Sequence, residues 1–199
     1  MKPKLSLITP CSRPHNLLRM EPSVMAGADL FDLTWWIVYD GIRVPDSRKT
    51  YSPNTFNGTW ICKIATHMKP GSCVGNSQNN YALDRIDLDN WVYFLSDDNI
   101  MHENFYSCLS QAIADHPEKR AFVFPQQVGD WVRGAGPGSM IVGAIDLGQY
   151  CLFRSLIGER RLNAPSYDAD GFLITELYQT YPGDFEFLPF VMCNYNKLR

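Results

Sequence analysis

The chain has 199 residues, 45% of them hydrophobic, which suits a single domain whose core is large enough to stand without disulfides or a structural metal. A formal net charge of -3 and the lack of any long Lys/Arg run exclude the basic stripe by which nucleic-acid-binding proteins meet phosphates. The six cysteines are scattered without CxxC or CxxxH spacing, which excludes a zinc motif or disulfide framework and points to free thiols in a reducing compartment.

Met1-Lys2-Pro3-Lys4 leads into an apolar stretch that Pro10 closes too soon for a signal-peptide core or a membrane span, so a cytoplasmic location without a transmembrane segment is expected. Residues 5–9 read as a short buried strand, with Ser12 and Pro14 marking a helix start behind it. Residues 34–39 are β-branched and aromatic and end at Asp40-Gly41, repeating the strand-then-turn pattern. Residues 43–59 are polar and rich in Pro, Asn and Ser, which predicts a long surface loop. A third strand over 60–66 and a helix over 77–86 follow.

Residues 91–95 form the most apolar strand, stopped by Ser96-Asp97-Asp98-Asn99, and 103–115 has the pattern of an amphipathic helix ended by Pro117. Residues 121–124 predict another strand, 129–143 a glycine-rich loop, 149–153 a strand, 170–181 a helix and 185–192 a last strand. This alternation implies one α/β domain with a mostly parallel central sheet.

In such sheets ligands collect beyond the carboxyl ends of the strands. Residues 9–13, Asp40 and residues 97–99 would therefore share one edge although they are far apart in sequence. An isolated Asp-Asp-Asn reads first as a solvated turn or helix cap. Directly behind the most apolar strand, however, two adjacent carboxylates invite a divalent cation, and Mg²⁺ or Mn²⁺ commonly shares oxygen ligands with substrate phosphates.

Three segments in order resemble GT-A glycosyltransferases, in particular family 2 and related enzymes with a DXD-type strand end. Residues 5–10 with Arg13-Pro14 are similar to the opening strand and nucleotide-binding loop. Gly75-Asn76-Ser77-Gln78-Asn79-Asn80-Tyr81-Ala82-Leu83 resembles the Arg-Asn-x-Ala-Leu helix start near the donor, with Asn79 where arginine is common. Phe94-Leu95-Ser96-Asp97-Asp98-Asn99 looks like the aspartate motif, with Ser96 in place of a frequent first acid.

The resemblance implies a GT-A type, Rossmann-like, mostly parallel sheet flanked by helices, with a smaller mixed β region on the acceptor side. Residues 1–100 would form the nucleotide-sugar half and 101–199 the acceptor half of a single domain. Thr9, Pro10, Arg13, Asp40, Asn76, Asn80 and Asp97 would contact the donor, and Asp98 with Asp97 would hold Mn²⁺ or Mg²⁺. The function implied is transfer of a sugar from a nucleotide sugar, with UDP the expected carrier, to a hydroxyl of a glycan, lipid-linked or protein acceptor, with inversion. Inversion needs a carboxylate to take the acceptor proton; Asp170 is the first choice and Asp168 the second, against the plain reading of Asp170 as a helix cap. A late histidine that many relatives use as a metal ligand has no counterpart, since His15, His67, His102 and His116 all lie too early. The alternatives are a sugar-phosphate nucleotidyltransferase, or a non-catalytic carbohydrate- or nucleotide-binding domain.

Overall fold

The computed structural model describes residues 1–40, 60–67, 75–163 and 167–199, with only the backbone described for Asp40 and for 60–67. A seven-stranded sheet carries the order β10-β6-β9-β4-β1-β2-β3. Its strands are β1 (Lys4–Cys11), β2 (Asp32–Asp40), β3 (Trp60–His67), β4 (Trp91–Phe94), β6 (Ala121–Val123), β9 (Tyr150–Phe153) and β10 (Phe185–Phe187). Only β9 runs against its neighbours, β4 and β6, so the sheet is largely parallel.

Alternation along the central strands divides the core. Leu5 and Leu7 of β1, Leu33, Trp35 and Ile37 of β2 and Trp91 and Tyr93 of β4 face one layer, where they meet α1 (Leu17–Met25) and α3 (Phe105–Asp115). Ile8, Trp36, Val38, Val92 and Phe94 face the other, against α2 (Asn76–Leu83), the short α4 (Arg154–Ile157) and α5 (Ala169–Thr180). Both faces are covered, which is why these strands read as nearly continuous apolar runs. Parallel strands need crossovers, and α1 between β1 and β2 and α2 between β3 and β4 serve this way while burying the sheet. Among the described residues no helix is long and apolar enough to cross a membrane.

A second, four-stranded sheet has the order β5-β11-β7-β8, from Ile100–Met101, Cys193–Tyr195, Gln126–Val128 and Trp131–Arg133. It mixes parallel β11/β7 with antiparallel β5/β11 and β7/β8 pairs, giving the smaller mixed region that the resemblance implied.

Several boundaries differ from the sequence reading. Ser12 does not cap a helix: a 3-10 turn over Pro14–Asn16 intervenes, α1 starts at Leu17, and the Ser12 hydroxyl is used by Asp97 instead. Of the strand expected over 185–192 only Phe185–Phe187 forms, as β10 in the large sheet; Pro189, which cannot donate to a ladder, follows it, and a separate strand, β11 in the small sheet, begins only at Cys193. The segment 129–143 contains β8, which pairs with β7. The surface loop expected over 43–59 lies outside the described residues. The cysteines that are described, Cys11, Cys108, Cys151 and Cys193, are free, as expected.

Candidate active site

An open cleft lies at the carboxyl ends of β1 and β4, where the general rule for α/β sheets places ligands. Pro10 to Arg13 come from the end of β1 and Ser96 to Asp98 from the end of β4. The parallel register that sets Ile8 beside Phe94 brings these loops together across more than eighty residues of sequence.

Asp97 is the tie between them. One of its oxygens accepts from the Ser12 N–H at 2.6 Å, the Arg13 N–H at 2.7 Å and the Ser12 hydroxyl at 3.0 Å, while the other meets the Arg13 guanidinium at 2.5 Å. Asn16 adds a bond from its side-chain amide to the Asp97 carbonyl. The carboxylate is only 4% exposed, so its charge is carried by hydrogen bonds and Arg13 rather than by water. Asp98 is bound differently. Its Oδ2 meets Arg199 Nε at 2.7 Å and Arg13 at 3.3 Å, with both arginines partly in solvent. No backbone group binds its side chain among the described residues, and both donors sit on the same oxygen.

The start of α2 forms another part of the wall. Gly75 precedes the helix with φ at 85°, and a Cβ there would stand 3.2 Å from the Pro10 ring. A left-handed backbone and this close approach both favour glycine. Gly75→Ala is expected to lower stability by about 1–2 kcal/mol, read as a lower urea midpoint with an unchanged slope. An unchanged midpoint would show that the turn tolerates a side chain.

Asn76, Gln78 and Asn79 line the cleft from α2. Asn79 is 1% exposed, yet both its amide nitrogen and its carbonyl oxygen lack a partner among the described residues. A buried primary amide needs both a donor and an acceptor partner, and this one lines the cleft. Asn80 does something else. Its side chain accepts from the Leu162 N–H at 2.9 Å and donates to the Leu162 carbonyl at 3.2 Å, pinning that segment to α2. At the far end of the helix, Arg154 donates to the Leu83 carbonyl, a group that the last turn leaves unpaired.

Asp146, Leu147 and Asp170 also line the cleft. Asp146 opens a turn over Leu147–Gln149, accepting from the Gly148 N–H at 2.9 Å while its own N–H donates to the Gln149 side chain at 3.2 Å. Asp170 lies in the first turn of α5 and accepts from the Gly171 N–H at 2.8 Å and the Leu147 N–H at 3.2 Å. Burial pushes its carboxyl up to about 6; the two backbone bonds partly offset this, and the Asp146 charge adds to it. Asp168 is exposed and stands outside the cleft lining.

Of the residues expected to contact a donor, the cleft gathers Pro10, Arg13, Asn76 and Asp97. Thr9 is fully buried and its hydroxyl accepts from the Trp35 indole N–H at 2.9 Å, so it serves the core. Asn80 faces Leu162. The Asp40 backbone ends β2 on the same edge of the sheet, with Tyr39 level with Cys11, and its side chain lies outside the described residues. Cleft residues missed in the sequence include Tyr195 and Arg199. The Asp-x-x-Gln of the Asp146 turn is a capping signal that marks its position, whereas nothing in the local sequence announces Arg199.

A divalent ion fits this site on one condition. Among the described residues no three of His, Cys, Asp or Glu come together as a closed ligand set. Asp97 has both oxygens engaged, so Asp98 is the carboxylate with capacity to spare. Mg²⁺ and Mn²⁺ commonly take one or two protein carboxylates and complete their shell with substrate phosphates and water, so the fit requires a phosphate-bearing ligand.

No protein-family model matches the sequence, and a search of curated proteins finds no significant relative. The fold is shared with solved glycosyltransferases. Staphylococcus aureus TarS 1-349 in complex with UDP-GlcNAc is similar with a TM-score of 0.68 at 14% identity, over 96% of this chain and 58% of that one. The mannosyltransferase PcManGT from Pyrobaculum calidifontis, in complex with GDP-Man and Mn²⁺, is similar with a TM-score of 0.68 at 12% identity, over 98% of this chain and 57% of that one. A putative glucose-1-phosphate thymidylyltransferase from Bacillus anthracis is similar with a TM-score of 0.54 at 13% identity, over 96% of this chain and 88% of that one. The chain thus has the GT-A type fold and spans less than two thirds of the length of the glycosyltransferases it matches.

Proposed function

We propose that this chain is a glycosyltransferase that binds a nucleotide sugar, with a UDP-sugar as the first candidate donor, and transfers its sugar with inversion. The observation that carries the reading is one cleft holding two kinds of acid: Asp98 among arginines, and a half-buried Asp170 whose carboxyl titrates near 6.

Arg13 lies where a diphosphate would meet the end of β1, and the Asn79 amide, without a partner among the described residues, offers a donor and an acceptor to the same ligand. Asp98 would hold Mn²⁺ or Mg²⁺ together with the donor's phosphates. Such an ion neutralises charge developing on the departing nucleoside diphosphate. Asp170, ionised above about pH 6, accepts the proton of the acceptor hydroxyl as that oxygen attacks the anomeric carbon. A carboxyl tuned close to the working pH suits that task better than one ionised throughout. Exposed Asp168 lacks this environment, which favours Asp170.

A thermal-shift screen of nucleotides and nucleotide sugars, with and without Mn²⁺, tests the reading without an acceptor. Ligand at about 100 times its Kd adds about 2.7 kcal/mol, or about 5–10 °C in a domain this size. We expect UDP or its sugars to raise Tm with Mn²⁺ present, and Asp98→Ala to lose the Mn²⁺-dependent part. Metal-independent binding unchanged in that variant would remove Asp98 from the mechanism. A nucleotidyltransferase has one neighbour in its favour, but the loop after β1, Thr9-Pro10-Cys11-Ser12-Arg13, lacks the glycines such enzymes usually place there. Incubation with nucleoside triphosphate and sugar phosphate separates the two by product.

A further inference from the structure

We infer that Arg199 is a resident counter-ion of Asp98 which a divalent cation must displace, so that Arg199 exchanges the carboxylate for the donor's diphosphate when metal and donor bind together. The inference rests on the proposed binding of donor and metal at this cleft.

Three features of the site support it. Arg199 Nε lies 2.7 Å from Asp98 Oδ2, closer than Arg13, which is already bound to Asp97. A divalent ion at that oxygen would face the guanidinium at contact distance, and such charge repulsion is not sustained without a compensating anion. Arg199 also has room on its solvent side, because its side chain is 51% exposed whereas the Asp98 carboxylate is 6% exposed. Finally, the main chain around Arg199 is fixed by other groups. The Leu198 N–H donates to the Asp98 carbonyl at 2.9 Å, and the Asn196 N–H donates to the Asn99 side chain at 2.8 Å. The guanidinium can therefore swing while its backbone stays beside the acids.

Charge balance sets the direction of the exchange. Arg13 and Arg199 together neutralise Asp97 and Asp98, so the donor-free cluster gains little from a further cation. A diphosphate adds negative charge and offers the guanidinium a second, bidentate partner. Metal alone is then excluded, and metal with nucleotide is admitted. By linkage each ligand must tighten the other equally.

Titrating Mn²⁺ against the intact chain by the EPR signal of free ion, with and without UDP, tests the exchange independently of turnover. For the wild type we expect weak binding without UDP and tighter binding with it. Arg199→Gln should bind Mn²⁺ without UDP about tenfold more tightly than the wild type, and UDP should then add less, within the range typical of coupling between sites. Arg199→Lys, which keeps a cation, should behave like the wild type. Adding Asp98→Asn to Arg199→Gln should abolish the gain.

Equal Mn²⁺ affinity of wild type and Arg199→Gln without UDP would overturn the inference, as would a gain that survives loss of Asp98. If UDP-supported Mn²⁺ binding in the wild type still depends on Asp98, the proposed function stands in either case. If the wild type binds no Mn²⁺ even with UDP, both the inference and the metal-dependent reading fail. A Tm within a degree or so of wild type checks that Arg199→Gln keeps the loop anchored.

Discussion

Asp170→Asn is expected to reduce donor turnover about 10²–10⁴-fold, the usual range for removing a positioned base, while Mn²⁺-dependent nucleotide binding persists. The measurement is release of nucleoside diphosphate from a donor the protein binds, with water as the acceptor. In the wild type this rate should rise with pH through about 6, because the base acts only when ionised. Stability should move the opposite way. Burial raises the folded carboxyl above its ordinary value, so the folded state binds the proton more tightly than the unfolded chain. The resulting stabilisation is complete below about pH 4 and is lost as pH rises to about 6. Asp170→Asn should therefore melt above the wild type near pH 8, with the gap closing near pH 4. Full turnover in the variant would move the base elsewhere.

The other large effect is expected at Asp97, and it should appear as unfolding rather than as lost chemistry. Asp97→Ala leaves two backbone N–H groups of the β1 loop, and the partly exposed Arg13 guanidinium, without the enclosed carboxylate that binds them. Two backbone donors left unsatisfied cost about 1–3 kcal/mol each, together enough to lower Tm by roughly 5–20 °C. Asp98→Ala releases only two partly exposed arginines and should change stability by about 1 kcal/mol or less. The adjacent acids thus separate by assay: denaturant melts report Asp97 and ligand binding reports Asp98. Similar melts for the two variants would contradict the division.

Much of the architecture is legible in the sequence because the central strands carry their own signature. Residues 5–9 and 91–95 are apolar on both faces, which only a sheet covered on both sides explains, and the acids that stop the second of these strands fall at its carboxyl end. The small sheet is harder to read. β7, β8 and β11 span three residues each, too short for an alternation to declare itself. At the site, Asp98 and Asp170 follow from motif and position. Thr9 and Asn80 illustrate the limit of that method, since a polar residue beside a motif can turn inward to Trp35 or sideways to Leu162. Asn79 shows the converse, because the absence of an arginine marks a lost charge, whereas only packing reveals an amide buried without partners among the described residues. Arg199 stands 101 positions from its acid and no local pattern links them.

The strand β11 lies between β5, which directly follows the acid loop, and β7, whose other neighbour β8 carries the exposed Trp131. It therefore joins the hairpin that carries Trp131 to the strand that follows the acid loop. The exposed rim at Trp131 and the cleft residue Tyr195 thus belong to one hydrogen-bonded sheet, bridged by a three-residue strand.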